Sequence, residues 1–250
     1  MNIVFVHGSN TDGRIWDEHR NIIGSQYRLI APTQRYFGAL PWPDDGREFS
    51  ISTHAGDLAA FITSLDVAPV AIVGWSYGAA VCLAMTIQHP ELVSRMFLYE
   101  PALATFISDP APAKIAMDDR VEMSRAAKQK AHDGDFTNAV QLFMNGVNDD
   151  AGAFRSLTPR VQQIMFENAR MLSLLFAARP PQISCGDLSR LALPVTIAMG
   201  KDSRAFYKIC AEAAARCIPR ARLITIPNAR HLWPVQDPAG FSQAVLDQFA

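Results

Sequence analysis

Short runs of consecutive apolar residues recur along the chain, each bounded by turn residues and separated from the next by a segment of helix length. They span residues 3–6, 27–31, 70–73, 95–99 and 195–199, with 223–226 as a sixth. Unbroken apolar runs, without inside-outside alternation, are how parallel strands buried on both faces read. Helical patterns at 16–23, 54–65, 79–88 and 205–217 fall between them. Strand alternating with helix predicts an α/β fold built on a doubly wound, mostly parallel sheet.

The alternation stops after Pro101. From there to Gly186 the periodicity is helical and no strand pattern stands out, with helices predicted at 117–132, 136–147 and 158–178. Asp133-Gly134-Asp135 and Asn148-Asp149-Asp150 separate them, and both clusters stop helices. A helical excursion between two strands of one sheet predicts residues 102–186 as a cap inserted into a core made of 1–101 and 187–250. Such a cap lies over the carboxyl edge of the strands, where open α/β sheets bind ligands.

Composition narrows the field of functions. The chain has 250 residues, 49% of them apolar, and a formal charge of −1, enough to bury one sizeable core and without the footprint of a nucleic-acid or anionic-membrane binder. Arg216, Arg220 and Arg222 read as solvated surface. No apolar run of membrane-spanning length interrupts the pattern, and no secretory leader precedes the strand at residues 3–6, so a cytoplasmic protein is expected. Cys82, Cys185, Cys210 and Cys217 lack metal-ligand spacing and are expected as free, mostly buried thiols rather than zinc ligands or a disulfide framework. No metal or organic cofactor is implied; the expected partner is a small-molecule substrate, with the number of subunits left open.

The candidate chemistry centres on Gly74-Trp75-Ser76-Tyr77-Gly78, which follows the apolar run at 70–73 directly. Glycines on either side of a serine let a strand and the next helix approach closely enough to hold that serine in a strained turn, lifting its hydroxyl clear of the sheet. His7-Gly8-Ser9 ends the first strand at the same sheet edge. The Ser9 and Tyr77 amides are therefore candidate donors to an oxyanion, while His7 is read as fixing the loop by hydrogen bonds. His231 follows the last strand, late in the chain, where a general base for a serine nucleophile belongs. His19, His54, His89 and His132 read as structural or solvated.

Taken together, the His7-Gly8 loop, the 74–78 elbow, the Tyr99-Glu100-Pro101 strand end, the 194–200 strand and His231 resemble the α/β-hydrolase-fold superfamily, in its serine-hydrolase form with a helical cap. The resemblance spans nearly the whole chain, begins at the superfamily's usual third strand, and implies about six strands with the order nucleophile, acid, histidine. It implies Ser76 as nucleophile and His231 as base. Many relatives carry the acid in a Gly-x-x-Asp pattern, but Gly200-Lys201-Asp202-Ser203 puts serine at that place. Glu100 is the favoured acid, with Asp202 as the alternative. Without a catalytic role, Glu100 would read as a loop carboxylate that caps a helix or pairs with an arginine.

Trp16, Phe37, Trp42, Trp75, Phe106, Met144, Met171, Phe176 and Trp233 lie in segments expected to face the site, which predicts a mostly apolar pocket. With no run of charge in the sequence to mark an ionic substrate, the expected reaction is acyl-enzyme hydrolysis of a neutral ester or lactone. The alternatives are carbon-carbon bond hydrolysis, perhydrolysis, or ligand binding without turnover. The resemblance also argues against haloalkane dehalogenase and epoxide hydrolase activity, which in similar proteins need an aspartate at position 76.

Overall fold

A computed structural model describes residues 2–24 and 27–249. Every apolar run forms a strand: β1 (Asn2–Val6), β2 (Arg28–Ile30), β3 (Val70–Trp75), β4 (Val93–Tyr99), β5 (Val195–Gly200) and β6 (Ala221–Ile226). They make one sheet in the order β2-β1-β3-β4-β5-β6, with every neighbouring pair parallel. All six residues of β3 are buried, as are all six of β5, which is why these segments read as continuous apolar runs. The edge strand β6 is half exposed.

The helices between strands are α1 (Asp17–Ile23), α2 (Ile51–Ser64), α3 (Tyr77–Gln88) and α10 (Ala205–Cys217), and the chain closes with α11 (Trp233–Gln236) and α12 (Pro238–Phe249). Right-handed crossovers on this strand order put α1 on one face of the sheet and α2, α3 and α10 on the other. Trp16, Phe5 and Phe241 interlock on the α1 side, with ring centroids 5.1 and 5.7 Å from Trp16. Burial of each such ring contributes about 2–3 kcal/mol.

Between β4 and β5 run α4 (Pro110–His132), α5 (Phe136–Asn148), α6 (Ala153–Ser156), α7 (Pro159–Glu167), α8 (Met171–Ala177) and α9 (Cys185–Leu188). Asp109 and Asp135 cap α4 and α5 through their side chains, and Gly134 turns the chain between them at φ +79°. One feature differs from the sequence pattern: the single helix predicted over 158–178 is broken into α7 and α8 at Asn168. That side chain is buried and donates to Asp12 Oδ2 at 2.8 Å, while accepting from the Gly38 amide at 2.6 Å. It thereby pins the insertion to two core loops, and these tertiary bonds outweigh helix continuation.

The cysteine expectation is corrected in part. Cys185 and Cys217 form a disulfide that joins α9 to the end of α10 across 32 residues of sequence, their Cα atoms 5.1 Å apart. Nothing in the spacing announces it; the fold brings the two together. Cys82 and Cys210 are free and buried, as expected. A second tie is ionic: Arg204 bonds to Asp119 on α4 at 2.5 Å and to Asp149 beyond α5 at 2.9 Å. Among the described residues, no helix is long and apolar enough to cross a membrane.

Candidate active site

Ser76 stands between β3 and α3 at φ 56° and ψ −116°, a left-handed conformation that costs about 1–3 kcal/mol for a residue with a Cβ. Its neighbours make the turn possible. A Cβ on Gly74 would lie 2.7 Å from the Ala79 Cα, and one on Gly78 would lie 2.4 Å from the His7 carbonyl oxygen, so neither position admits a larger residue without movement. The backbone is held on both sides of the strain: the Ser76 amide donates to the Tyr99 carbonyl at 2.9 Å, and the Ser76 carbonyl accepts from Ala80 and Ala102, each at 3.2 Å.

The Ser76 Oγ lies 2.9 Å from His231 Nε2, and His231 Nδ1 lies 2.6 Å from Glu100 Oε2. All three residues are buried. A carboxylate facing Nδ1 keeps the proton there, so Nε2 carries the lone pair that accepts from the serine hydroxyl. The second carboxylate oxygen, Oε1, accepts from the Gly200 amide at 2.8 Å. Glu100 itself is held at φ 49°. Asp202 is exposed and lies outside this relay; its amide donates to the Ala229 carbonyl at 3.1 Å.

The loop bearing His231 is anchored from several sides, by residues that sequence reading did not single out for this. Trp75 Nε1 donates to the His231 carbonyl at 3.0 Å and the Tyr99 hydroxyl to the Arg230 carbonyl at 2.7 Å. Tyr207 stacks flat on the imidazole, with centroids 3.6 Å apart and planes 9° from parallel. From the insertion, the buried Asn148 Oδ1 accepts from the Leu232 amide at 2.9 Å, and Arg230 returns two bonds to the Asn148 and Asp149 carbonyls. Asn148→Ala is expected to leave a buried amide unpaired and lower stability by about 1–3 kcal/mol, measurable as a shift of the denaturation midpoint at constant slope.

Ser9 and Tyr77 lie at the same edge, lining one cavity with Ser76. Tyr77 opens α3, so its amide has no intrahelical acceptor, and among the described residues neither amide bonds to another backbone carbonyl. His7 buttresses this loop: Nδ1 donates to the Gly8 carbonyl at 2.9 Å, and Nε2 accepts from the Gln34 amide at 3.1 Å. His54 supports the other donor, with Nε2 donating to the Arg35 carbonyl at 3.0 Å and Nδ1 accepting from the Tyr77 hydroxyl at 2.7 Å.

Burial pushes His7, His19 and His54 down to about 4 from the ordinary 6.5. The sign of the stability effect follows: between those values the unfolded chain binds protons that the native protein refuses. Stability is complete above about pH 6.5 and falls as pH drops toward 4, by about 3 kcal/mol for each histidine. Chemical denaturation across that range checks this, and a flat profile would contradict it.

A cavity of about 260 Å³ opens onto Ser76 between the sheet edge and the insertion. Its walls include Ile51, Met117, Val121, Phe143, Leu175 and Phe176, with Ser9 and Tyr77 at the floor. Of the aromatic and sulfur side chains expected here, Phe176 lines it, while Trp75 and Met144 border a smaller void beside Ser76 and His231. Trp16, Phe37, Phe106, Met171 and Trp233 are packed into the core, and Trp42 lies beneath Arg170. The lining is not apolar throughout, because Arg120, Lys128 and Arg179 also belong to it. Met117, Arg120, Val121, Ser124 and Lys128 follow helical spacing, the one signal in the sequence that puts them on one face of α4.

A model of the alpha/beta hydrolase family matches residues 3–244. Among curated proteins, the chain is 26% identical over 266 aligned positions to a putative non-heme bromoperoxidase of Mycobacterium tuberculosis, covering 99% of this chain and 93% of the relative. Among solved structures, an esterase from Rhodococcus sp. ECU1013 superposes with a TM-score of 0.76 at 23% identity, over 99% of this chain and 89% of the other. An N-acyl homoserine lactone degrading enzyme gives 0.74 at 21% identity, over 99% and 92%.

Proposed function

This chain belongs to the alpha/beta hydrolase family, and from that membership we propose that it is a serine hydrolase cleaving carboxylic esters or lactones of a small, mostly apolar substrate. The observation that carries this reading is the buried relay from Ser76 through His231 to Glu100, with links of 2.9 and 2.6 Å. Esterases and a lactone-degrading enzyme among the structural neighbours support an acyl substrate.

In the reaction, Ser76 Oγ attacks the carbonyl carbon as its proton passes to His231 Nε2, and Glu100 stabilises the imidazolium and holds its orientation. Negative charge gathers on the former carbonyl oxygen, where the Ser9 and Tyr77 amides and the α3 N-terminus receive it, each donor contributing about 3 kcal/mol. Collapse expels the alcohol, which takes the proton from His231 and leaves an ester on Ser76. Water then attacks the acyl carbon with His231 again as base, and collapse breaks the bond to Ser76 Oγ, which takes the proton back from His231 as the carboxylic acid leaves. In this reading residues 102–186 act as the cap, closing the site above the cavity that opens onto Ser76.

The name of the Mycobacterium relative favours one second reading, in which hydrogen peroxide replaces water in the deacylation step and releases a peracid. Rapid mixing with a p-nitrophenyl ester tests both. A burst of about one p-nitrophenol per chain, followed by slower turnover, is expected. Faster turnover with peroxide, together with peracid formation, marks the second reading. An absence of both burst and turnover toward esters and lactones contradicts both.

A further inference from the structure

We infer that the cavity above Ser76 contains a binding subsite for a carboxylate on the substrate, with Arg120 as its specificity-determining residue. The inference rests on the ester-hydrolase reading of the same site and extends it to the chemical class of the substrate.

Three of the residues lining the cavity are cationic, Arg120, Lys128 and Arg179, and among the described residues no aspartate or glutamate lines it. Among the described residues, none of the three takes part in an ion pair. The carboxylates nearest Arg120 in sequence are occupied elsewhere: Asp118 with Lys114, Asp119 with Arg204, and Glu122 with Arg125.

Arg120 is half-buried, and its guanidinium lies 5.8 Å from the centre of the Phe206 ring. Phe206 packs against Tyr207, whose ring stacks on His231. The charge is thus held on the aromatic wall that backs the base, with its N–H fork unpaired. A guanidinium without an anionic partner keeps its donors free for a ligand, and a planar carboxylate is the ligand that fits its fork in two parallel bonds. Lys128 and Arg179 are exposed. At the mouth they draw an anion inward, while the apolar walls of Met117, Val121 and Phe176 take the methylenes between its charge and the scissile ester.

The test compares ester pairs of matched length. For the acyl arm these are p-nitrophenyl hexanoate and the p-nitrophenyl monoester of adipic acid; for the alcohol arm they are pentyl and carboxypropyl butanoate. In at least one pair, kcat/KM for the carboxylated ester is expected to exceed that for the neutral one by about 10- to 100-fold. That ratio should fall toward one in Arg120→Met, remain partly in Arg120→Lys, and shrink with rising salt in the unaltered protein. A neutral preference in both pairs, while the esters are turned over, overturns the subsite and leaves the hydrolase reading standing. If no ester is turned over, calorimetric binding of adipate decides: binding weakened by Arg120→Met supports the subsite although the hydrolase reading has failed, and no binding overturns it.

Discussion

Glu100→Gln is expected to lower kcat by about four orders of magnitude, while Asp202→Asn stays within a few-fold of the unaltered protein. The reason lies in what a carboxamide does between two donors. Glu100 accepts from the Gly200 amide through Oε1 and from His231 Nδ1 through Oε2. A glutamine has one oxygen. If that oxygen stays on Gly200, its NH₂ faces Nδ1 and drives the imidazole proton to Nε2, leaving no lone pair for the Ser76 hydroxyl. If the oxygen faces the histidine, the NH₂ opposes the Gly200 amide in a buried site. Either arrangement damages the relay, and the first abolishes the base. Asp202 is exposed and outside the relay, so removing its charge disturbs only the turn after β5. The opposite pattern, with Asp202→Asn inactive and Glu100→Gln active, would move the acid to the turn after β5.

Ser76→Ala is expected to lower kcat by about six orders of magnitude while leaving substrate affinity near its original level. The loss is larger than for Glu100 because no other nucleophile stands within the relay, whereas a histidine without its acid still touches the serine. Binding survives because the cavity walls come from α4, α5 and α8 rather than from the serine hydroxyl. The variant should fold: alanine keeps the Cβ that the strained φ of 56° already tolerates, and the hydroxyl's bond is to His231 alone among the described residues. Retained turnover in Ser76→Ala would point to direct attack by water activated at His231, without a covalent intermediate.

What the sequence made legible, and what it hid, divides along the range of the interactions. The six strands were legible because a strand buried on both faces must be apolar throughout, and β3 and β5 are buried at every position. The Ser76 turn was legible because its requirements fall on two positions of one five-residue segment: Gly74 and Gly78 meet the Ala79 Cα and the His7 carbonyl at distances that forbid a side chain. Glu100 was favoured from the sequence but left open against Asp202, since its place beside Gly200 follows from β4 pairing with β5. A buried serine at 203, where the resembling family carries its acid, accompanies that change of strand end.

The rest was hidden because it depends on how the insertion folds back. Asn148 reaches the Leu232 amide across 84 residues, and Cys185 meets Cys217 with no spacing pattern to announce it. Asn168 broke a helix that periodicity alone would continue, because its side chain bonds to Asp12 and Gly38. Arg120, Lys128 and Arg179 lie in segments that read as ordinary solvated helix and loop. Only the folding of α4 and of the segment after α8 over the sheet edge turns them into one wall of a cavity.

Ser76 as an activated nucleophile is tested most directly by intact-mass analysis after brief exposure to a fluorophosphonate, with peptide mapping of the adduct. One adduct per chain is expected, located on Ser76. It should be absent in Ser76→Ala and formed orders of magnitude more slowly in His231→Ala. A folded protein that acquires no adduct, or acquires one at a residue other than Ser76, would contradict the relay as a catalytic device.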